Sequence, residues 1–366
     1  MDSFLRACES AWPANTPRPR VIARAPGRLD CIGGMADYSG SLALQLTTEC
    51  AVLVAAGPRE DQRIHIESLG WNGDPARVDW PLSVFYQSDG QFVTPGELAR
   101  QFERTPWVRH AVGVCLALLE SGEIPHFAGG ATLVIQSNIP PGAGLASSAA
   151  LQIAVAQALA GLFDVELEPA QIVRACRVAD AEVAKSRLGL VDHLCCLHGE
   201  PDALLQIRSM PDEVLGTVTL PRDVTIAAVD SDVATPIRQQ RYIENRTAAL
   251  MGHHMVREIL RRMGREGESG SACLAGVTPT EYVEYFRNEL PVKLRGREFL
   301  ERWPDADLDA VIEPDAIYKV RSRTEHHIYE NDRAHRFMER LNRVRRTGER
   351  DALVEAGGLM YASHWS

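Results

Sequence analysis

The spacing of apolar and polar residues in the first half of the chain predicts strands and helices in alternation. Apolar runs or period-two alternation predict strands at residues 21–25, 43–56, 63–68 and 131–135. Apolar residues at helical spacing predict helices at residues 108–120, 145–162 and 169–185. Together these elements are typical of a domain in which helices pack on a sheet.

In the second half the pattern predicts mainly helices. Residues 241–263 and 333–349 have helical periodicity, and residues 224–229 form an apolar run typical of a strand. The polar, glycine-rich residues 264–271 predict a surface loop. We therefore predict the α+β class with two lobes, and a boundary near residues 205–222.

The composition limits the classes of function. The chain has 366 residues with 39 Lys and Arg against 49 Asp and Glu, a formal net charge of −10. Such acidity disfavours a main role in binding nucleic acid or an anionic membrane surface. No apolar run reaches the roughly 18–20 residues of a membrane span, and residues 1–10 lack the apolar stretch of a signal peptide. We expect a cytoplasmic protein with no nucleic-acid or membrane partner.

The cysteines and histidines do not predict a metal centre. Eight cysteines stand at irregular spacings without a CxxC pair, so neither a disulfide framework nor a structural zinc site is indicated. Residues 193–198, His-Leu-Cys-Cys-Leu-His, contain metal-type ligands, but their spacing matches no common zinc site. A buried helix is the favoured interpretation of that run.

The strongest local motif is Pro140-Pro-Gly-Ala-Gly-Leu-Ala-Ser-Ser-Ala-Ala150, between a predicted strand and a predicted helix. Its small residues let a ligand approach the backbone, and the helix start offers free N–H groups to an anion. A tight turn that permits close helix packing is one alternative. The dinucleotide motif GxGxxG is another, but Ser147 stands where its third glycine should be. Phosphate binding is the favoured interpretation.

Two further stretches concentrate polar groups. Arg28, Asp30, Asp37 and Tyr38 crowd a turn-rich segment after the first strand, which suits a small polar ligand or an ordinary solvated turn. The second stretch carries Asp180 and Glu182 late on a helix, with Asp192 in an apolar setting twelve residues after Asp180. A carboxylate at residue 192 either caps a helix or acts as a catalytic base, and the spacing alone does not decide between these two roles.

Residues 25–40, which contain Ala-Pro-Gly-Arg and Asp-Tyr-Ser-Gly, and residues 140–150 together resemble the first two signatures of the GHMP small-molecule kinases, in the family's order. The galactokinase branch is the most similar, and within it the kinase half of plant L-arabinokinases. The resemblance implies an N-terminal ribosomal-protein-S5-like lobe over residues 1–210 and a ferredoxin-like C-terminal lobe over residues 211–366. The family's third, glycine-rich signature is not found, so we expect a truncated second lobe. The shared runs are residues 23–30, 33–41, 327–331 and 357–361.

The resemblance also implies cofactors and roles for residues. A loop would wrap the phosphates of ATP, with Mg²⁺ bound by Ser148 and Asp180. Asp192 would be the catalytic base, and Arg28 would pair with it. Asp37 and Tyr242 would contact the sugar hydroxyls. The loop residues are Pro141, Gly142, Ala143, Gly144, Leu145, Ala146, Ser147 and Ser148.

The sequence departs from the galactokinase pattern at Gly34 and Met35, where galactokinases usually carry Glu and His. Those side chains reach toward the far edge of galactose, including its C6 hydroxyl, and L-arabinopyranose lacks the hydroxymethyl group. The departure therefore favours L-arabinose over galactose, unless Gly34 only reshapes a turn. Around the predicted base, residues 187–193 read Arg-Leu-Gly-Leu-Val-Asp-His, which keeps the family's glycine and aspartate but differs at their neighbours. Asp180 is shorter than the Glu that the family usually carries, so we expect it to coordinate the metal through water.

We predict an ATP-dependent sugar 1-kinase that prefers L-arabinose. A galactokinase is the first alternative. A catalytically silent relative that binds sugar and nucleotide as a regulator is the alternative from another class, because the third signature is missing. Kinases of mevalonate or homoserine fit less well, since Asp37-Tyr-Ser-Gly40 is typical of the sugar branch.

Overall fold

Contacts among its residues divide the protein into two compact units. The first comprises Met1–Leu29 and Thr47–Pro201, and the second Asp30–Leu46 and Asp202–Ser366. None of the described helices is at once long and apolar enough to cross a membrane. The structure, a computed structural model, describes residues 2–12, 19–69, 77–185, 189–233 and 235–366.

Strands and helices alternate in the first unit. The strands, of which the first two continue into the second unit, are β1 (Val21–Ile32), β2 (Leu42–Arg59), β3 (Arg63–Leu69), β4 (Arg77–Pro81) and β5 (Gly130–Ser137). The α-helices are α1 (Asp2–Ala11), α2 (Pro95–Gln101), α3 (Val108–Glu120), α4 (Ser147–Phe163), α5 (Pro169–Val178) and α6 (Val191–His198). A 3₁₀ turn covers Leu82–Phe85, and a π-helical turn over Ala179–Ala184 directly follows α5.

The sheet of the first unit is mixed and largely covered. Its order is β4-β3-β5-β2, with β1 paired to β2. β3 and β5 run parallel, with Ile64 opposite Ala131, and the other registered pairs, β3–β4 and β2–β5, are antiparallel. β5 is buried from Gly130 to Ile135, and α4 is buried on nearly all sides. The many alanines of α4 follow from this burial, because small side chains let its neighbours approach closely.

The second unit combines short strands with long helices. The segment 42–46 of β2 pairs antiparallel with β6, and β6 pairs with β7. In the core, a Cβ on Gly252 would lie 1.7 Å from Oγ1 of Thr324, so the helices that carry these two residues cross at a point where only glycine fits. Its further strands are β6 (Ala203–Arg208), β7 (Glu213–Thr219), β8 (Leu294–Arg295) and β9 (Ile317–Tyr318). Its α-helices are α7 (Thr235–Arg262), α8 (Ser269–Ala272), α9 (Pro279–Glu281), α10 (Gly296–Arg302), α11 (Val320–Thr347) and α12 (Asp351–His364). Shorter turns are Gly34–Ala36, Leu274–Gly276 and Tyr282–Phe286.

The predicted α+β class is confirmed, and the helix predicted at residues 108–120 has those bounds. The strand predicted at residues 224–229 is wrong, because this segment has no regular structure and Val229 is 94% exposed. Its β-branched residues pair with no described strand. β6 and β7 were not predicted; they lie close to the expected lobe boundary. The division into lobes over residues 1–210 and 211–366 stays a prediction.

Candidate active site

Arg28 and Asp192 form an ion pair within the first unit. Arg28 lies on β1, and Asp192 lies in the first turn of α6. The Arg28 Nε donates to Oδ1 of Asp192 at 2.7 Å, and Nη2 lies 2.6 Å from the same oxygen. The side chains are only 14% and 15% exposed, so water screens the pair weakly. The geometry thus joins a carboxylate to a fixed positive charge.

The same arginine also binds the predicted phosphate loop. Its Nη1 donates to the carbonyl oxygen of Gly144 at 2.6 Å, and its backbone N–H donates to the carbonyl of Leu145 at 3.1 Å. The preceding Gly27 permits this approach, because a Cβ there would lie 2.9 Å from the Leu145 oxygen and 2.9 Å from Oγ1 of Thr48. Arg28 therefore connects the loop with Asp192.

The loop has the backbone of an anion site. Gly142 and Gly144 have φ values of 72° and 79°, in the left-handed region that glycine adopts at low cost. Ala146, with φ of 56°, precedes the first residue of α4 and supplies no side-chain cap to it. The first N–H groups of this 17-residue helix therefore receive no hydrogen bond from a capping side chain at residue 146, and they are suited to donate hydrogen bonds to phosphate oxygens.

Asp180 is buried in the π-helical turn after α5. Its Oδ1 accepts a hydrogen bond from Nε2 of Gln152 at 3.0 Å and lies 3.5 Å from Nδ1 of His110. Burial by itself would raise the pKa of Asp180. The hydrogen bond from His110, the nearby imidazoles of His193 and His110, and Gln152 outweigh burial and lower that pKa below its usual value. Asp180 is therefore an ionised carboxylate at neutral pH.

The side chain that links these groups, Gln152, was missed in the sequence. It is fully buried on α4, and its Oε1 accepts a hydrogen bond from Nε2 of His193 at 2.5 Å. His193 is 2% exposed, as the buried-helix interpretation predicts, and burial lowers its pKa, so it is neutral at pH 7. A buried chain thus runs from Asp180 through Gln152 to the neighbour of Asp192. The signal for it was one of the two glutamines in a mostly apolar, alanine-rich helix.

The residues predicted to bind Mg²⁺ fit that ion by chemistry. An ionised carboxylate at Asp180 and a hydroxyl at Ser148 are oxygen donors of the kind Mg²⁺ binds, usually together with water and substrate phosphates. The described part of the chain contains no group of three or more His, Cys, Asp or Glu side chains able to hold a metal. The set therefore suits a phosphate-bound ion better than a metal held by protein ligands alone.

The residues predicted to bind the sugar lie in the second unit. Asp37 follows the 3₁₀ turn Gly34–Ala36, and the hydroxyl of Tyr242 donates to its Oδ1 at 3.4 Å. The neighbouring Tyr38 forms a hydrogen bond between its hydroxyl and Nε2 of His327 at 2.8 Å. Asp37 and Tyr242 are thus in contact although 205 residues separate them.

A pocket of about 400 Å³ lies beside these residues. Asp30, Met35 and Tyr242 are among the side chains that line it. Its wall is fixed by Glu330, which is 1% exposed and accepts a hydrogen bond from the backbone N–H of Gly33 at 3.1 Å. Glu330 was not singled out as a site residue, although it lies in one of the shared runs.

Known proteins match both the sequence and the fold. Residues 109–200 match the model described as the GHMP kinases N terminal domain. This segment, which contains the phosphate loop, Asp180 and Asp192, is therefore a GHMP kinase N-terminal domain, as predicted.

The homologues are sugar kinases. The chain is 29% identical over 396 residues to an L-arabinokinase of Arabidopsis thaliana, covering 94% of this chain and 37% of that protein. It is 27% identical over 281 residues to a galactokinase of Roseiflexus, covering 76% of this chain and 63% of that one. The chain thus spans less than two thirds of either relative.

A solved structure confirms the fold. The crystal structure of Lactococcus lactis galactokinase complexed with galactose matches 99% of this chain and 78% of its own, with a TM-score of 0.66 and 17% identity. The predicted GHMP kinase fold is therefore confirmed.

Proposed function

We propose that this protein transfers the γ-phosphoryl group of ATP to the anomeric hydroxyl of a monosaccharide, with L-arabinose preferred to galactose. The observation that carries the proposal is the position of Arg28, which contacts both Asp192 and the loop at Gly144. A kinase of this kind needs a base for the sugar and a cradle for the phosphates. Here one arginine connects the residues proposed for the two roles.

Each residue has a defined task in the proposed reaction. Asp192 accepts the proton of the anomeric hydroxyl as the oxygen attacks phosphorus. Arg28 holds that carboxylate in place and offsets the negative charge of the transferring group. The start of α4, with Ser147 and Ser148, holds the phosphate oxygens. Bound Mg²⁺ would neutralise phosphate charge, with Asp180 and Ser148 as its protein ligands.

The proposed preference for L-arabinose rests on residues of the second unit. Asp37 and Tyr242 bind the hydroxyls that L-arabinopyranose and galactose share. Gly34 and Met35 offer neither a carboxylate nor an imidazole to the C6 hydroxyl of galactose. A hydroxyl buried without a partner costs free energy, so galactose gains less from this pocket than the pentose does.

ADP release with L-arabinose, with galactose and without sugar tests the proposal. We expect sugar-dependent release with a higher kcat/KM for L-arabinose, and its loss in Asp192→Asn. A higher kcat/KM for galactose would instead support the galactokinase alternative. Sugar and nucleotide binding without turnover, detected by a thermal shift, would support the silent regulator and contradict the kinase.

A further inference from the structure

One face of α11 is hydrogen-bonded to the segment that joins β1 to β2. We call this segment the Asp37 turn (residues 33–42), because it carries Asp37, which we propose to bind the sugar. On α11, Glu330 and Asn331 follow His327 by three and four residues, so the three side chains share one face of that helix. The helix and the turn both belong to the second unit.

Two side chains of α11 bind the two ends of the Asp37 turn. Oε1 of Glu330 accepts a hydrogen bond from the backbone N–H of Gly33 at 3.1 Å. Oδ1 of Asn331 accepts one from the backbone N–H of Leu42 at 3.0 Å. The ends also touch each other, because a Cβ on Gly33 would lie 2.1 Å from the Leu42 carbonyl oxygen. The turn is therefore closed at its base and tied there to α11.

The third side chain, His327, binds the middle of the turn. Its Nε2 and the hydroxyl of Tyr38 form a hydrogen bond of 2.8 Å. The Tyr38 ring lies edge-on to that of Tyr242, with centroids 6.2 Å apart, and the Tyr242 hydroxyl donates to Asp37. Asp37 thus lies between contacts to α11 on both sides of it in the chain.

Glu330 is itself held rigidly. It is 1% exposed, and a buried carboxylate costs free energy unless it is paired and hydrogen-bonded. Nη1 of Arg333 lies 2.6 Å from its Oε2, and Oγ of Ser363 donates to its Oε1 at 2.5 Å. Both carboxylate oxygens therefore have partners, and the acceptor for the Gly33 N–H has a fixed place.

We infer that Glu330 is a positioning residue for the sugar site. By holding the Gly33 end of the turn, it sets where the Asp37 carboxylate meets the sugar, and Asn331 does the same from the Leu42 end. A shift of about 1 Å in such a group can cost about 10²-fold in rate. This inference rests on the proposed function, in which Asp37 binds sugar hydroxyls, and it requires no contact between Glu330 and the sugar.

The KM values for the preferred sugar and for ATP in Glu330→Leu test the inference. We expect KM for the sugar to rise by about tenfold and KM for ATP to stay within about twofold, because no residue proposed to bind the nucleotide lies on the turn. Glu330→Gln keeps an oxygen for the Gly33 N–H, so its KM for the sugar should stay within about threefold of the wild type. A partly unfolded preparation lowers the apparent kcat but changes neither KM.

Leu341→Ala is the matched control for stability. Leu341 is 3% exposed on the same helix, about 16 Å from Glu330 along the axis at 1.5 Å per residue. This variant should lower the thermal midpoint and leave KM for the sugar unchanged. If Glu330→Leu yields no folded protein, Asn331→Ala takes its place with the same expected rise in KM.

A double variant tests whether Glu330 acts through Asp37. Asp37→Ala alone should raise KM for the sugar. In the Asp37→Ala background, Glu330→Leu should add less than about twofold, because the group that it positions is absent. The same tenfold rise in both backgrounds would overturn the inference.

The remaining outcomes separate the inference from the proposed function. Turnover with an unchanged KM for the sugar in Glu330→Leu, or in Asn331→Ala where that variant replaces it, would overturn the inference and leave the kinase standing. An equal rise in Leu341→Ala would also overturn it, because loss of stability would then account for the effect. No sugar-dependent turnover in the wild type would overturn the proposed function, and the inference with it.

Discussion

Two nitrogens of the Arg28 guanidinium lie 2.6 and 2.7 Å from Oδ1 of Asp192, 164 residues further along the chain. This contact brings β1 to the start of α6 in the first unit. The third nitrogen binds the carbonyl of Gly144. A change at either end of the pair should therefore alter the chemistry and the loop together.

Asp192→Asn should remove most of the activity. The amide has the shape of the carboxylate but cannot accept the sugar proton, so kcat should fall by about 10²–10⁴. KM for the sugar should change little, because Asp37 and Tyr242 are untouched. Steady-state kinetics measure both values, and circular dichroism checks that the variant is folded. A kcat within tenfold of the wild type would exclude Asp192 as the base.

Gly27→Ala should weaken nucleotide binding. The new Cβ would lie 2.9 Å from the Leu145 carbonyl oxygen and must push β1 away from the loop. We expect KM for ATP to rise by at least about tenfold. Gly96→Ala is the matched control, since a Cβ there meets nothing within 4 Å. Equal KM values for ATP in the two variants would show that the close approach at Gly27 is unimportant.

Gly113→Ala should destabilise the first unit near Asp180. Gly113 lies on α3, and its Cβ would be 2.9 Å from both Cα and Cβ of Ala179, which directly precedes Asp180. Overpacking of this kind costs about 1–3 kcal/mol of unfolding free energy. Gly357→Ala on α12 meets nothing within 4 Å, so it should be neutral or stabilising. Urea unfolding compares the two, and an undiminished stability in Gly113→Ala would contradict this packing.

Stability should fall as the pH decreases below about 6.5. Burial lowers the pKa of His327 well below its usual value, and the neighbouring side chains of His326, Arg323 and His253 act in the same direction. The unfolded chain exposes this imidazole and binds a proton below pH about 6.5, whereas the folded chain does not. The stabilisation is thus complete above that pH and is lost as the pH falls.

His327→Gln isolates this contribution. Removing one such imidazole should flatten the slope of unfolding free energy against pH by up to about 1.4 kcal/mol per pH unit between pH 6.5 and 5.5. Urea unfolding at three pH values measures the slope, which is independent of any uniform loss of stability. The same slope in the variant and the wild type would mean that His327 is not held neutral in the folded protein.

Local signals predicted the parts of the site that lie close together in the chain. The loop before α4 follows from glycine, proline and a helix start within a few residues. The pairing of Arg28 with Asp192 came from resemblance, because nothing in the spacing of two residues so far apart indicates contact. The link through Gln152 was missed for the same reason, since its partners lie on other helices.

The errors have a physical cause as well. Residues 224–229 have the β-branched composition of a strand, but composition does not determine pairing, and this segment pairs with no described strand. The sequence also did not indicate that a Cβ on Gly34 would lie 2.4 Å from Cγ of Asp30, a relation that only the folded backbone shows. Such relations depend on tertiary packing, which a single sequence does not display.

The position of the transferred phosphoryl group tests the proposed sugar 1-kinase activity most directly. The protein is incubated with ATP, Mg²⁺ and L-arabinose, and ³¹P–¹H correlation by NMR identifies the proton coupled to the new phosphorus signal. We predict coupling to the anomeric proton of L-arabinose, with no such product in Asp192→Asn. Phosphorus on another hydroxyl, or inorganic phosphate as the sole product, would contradict that activity.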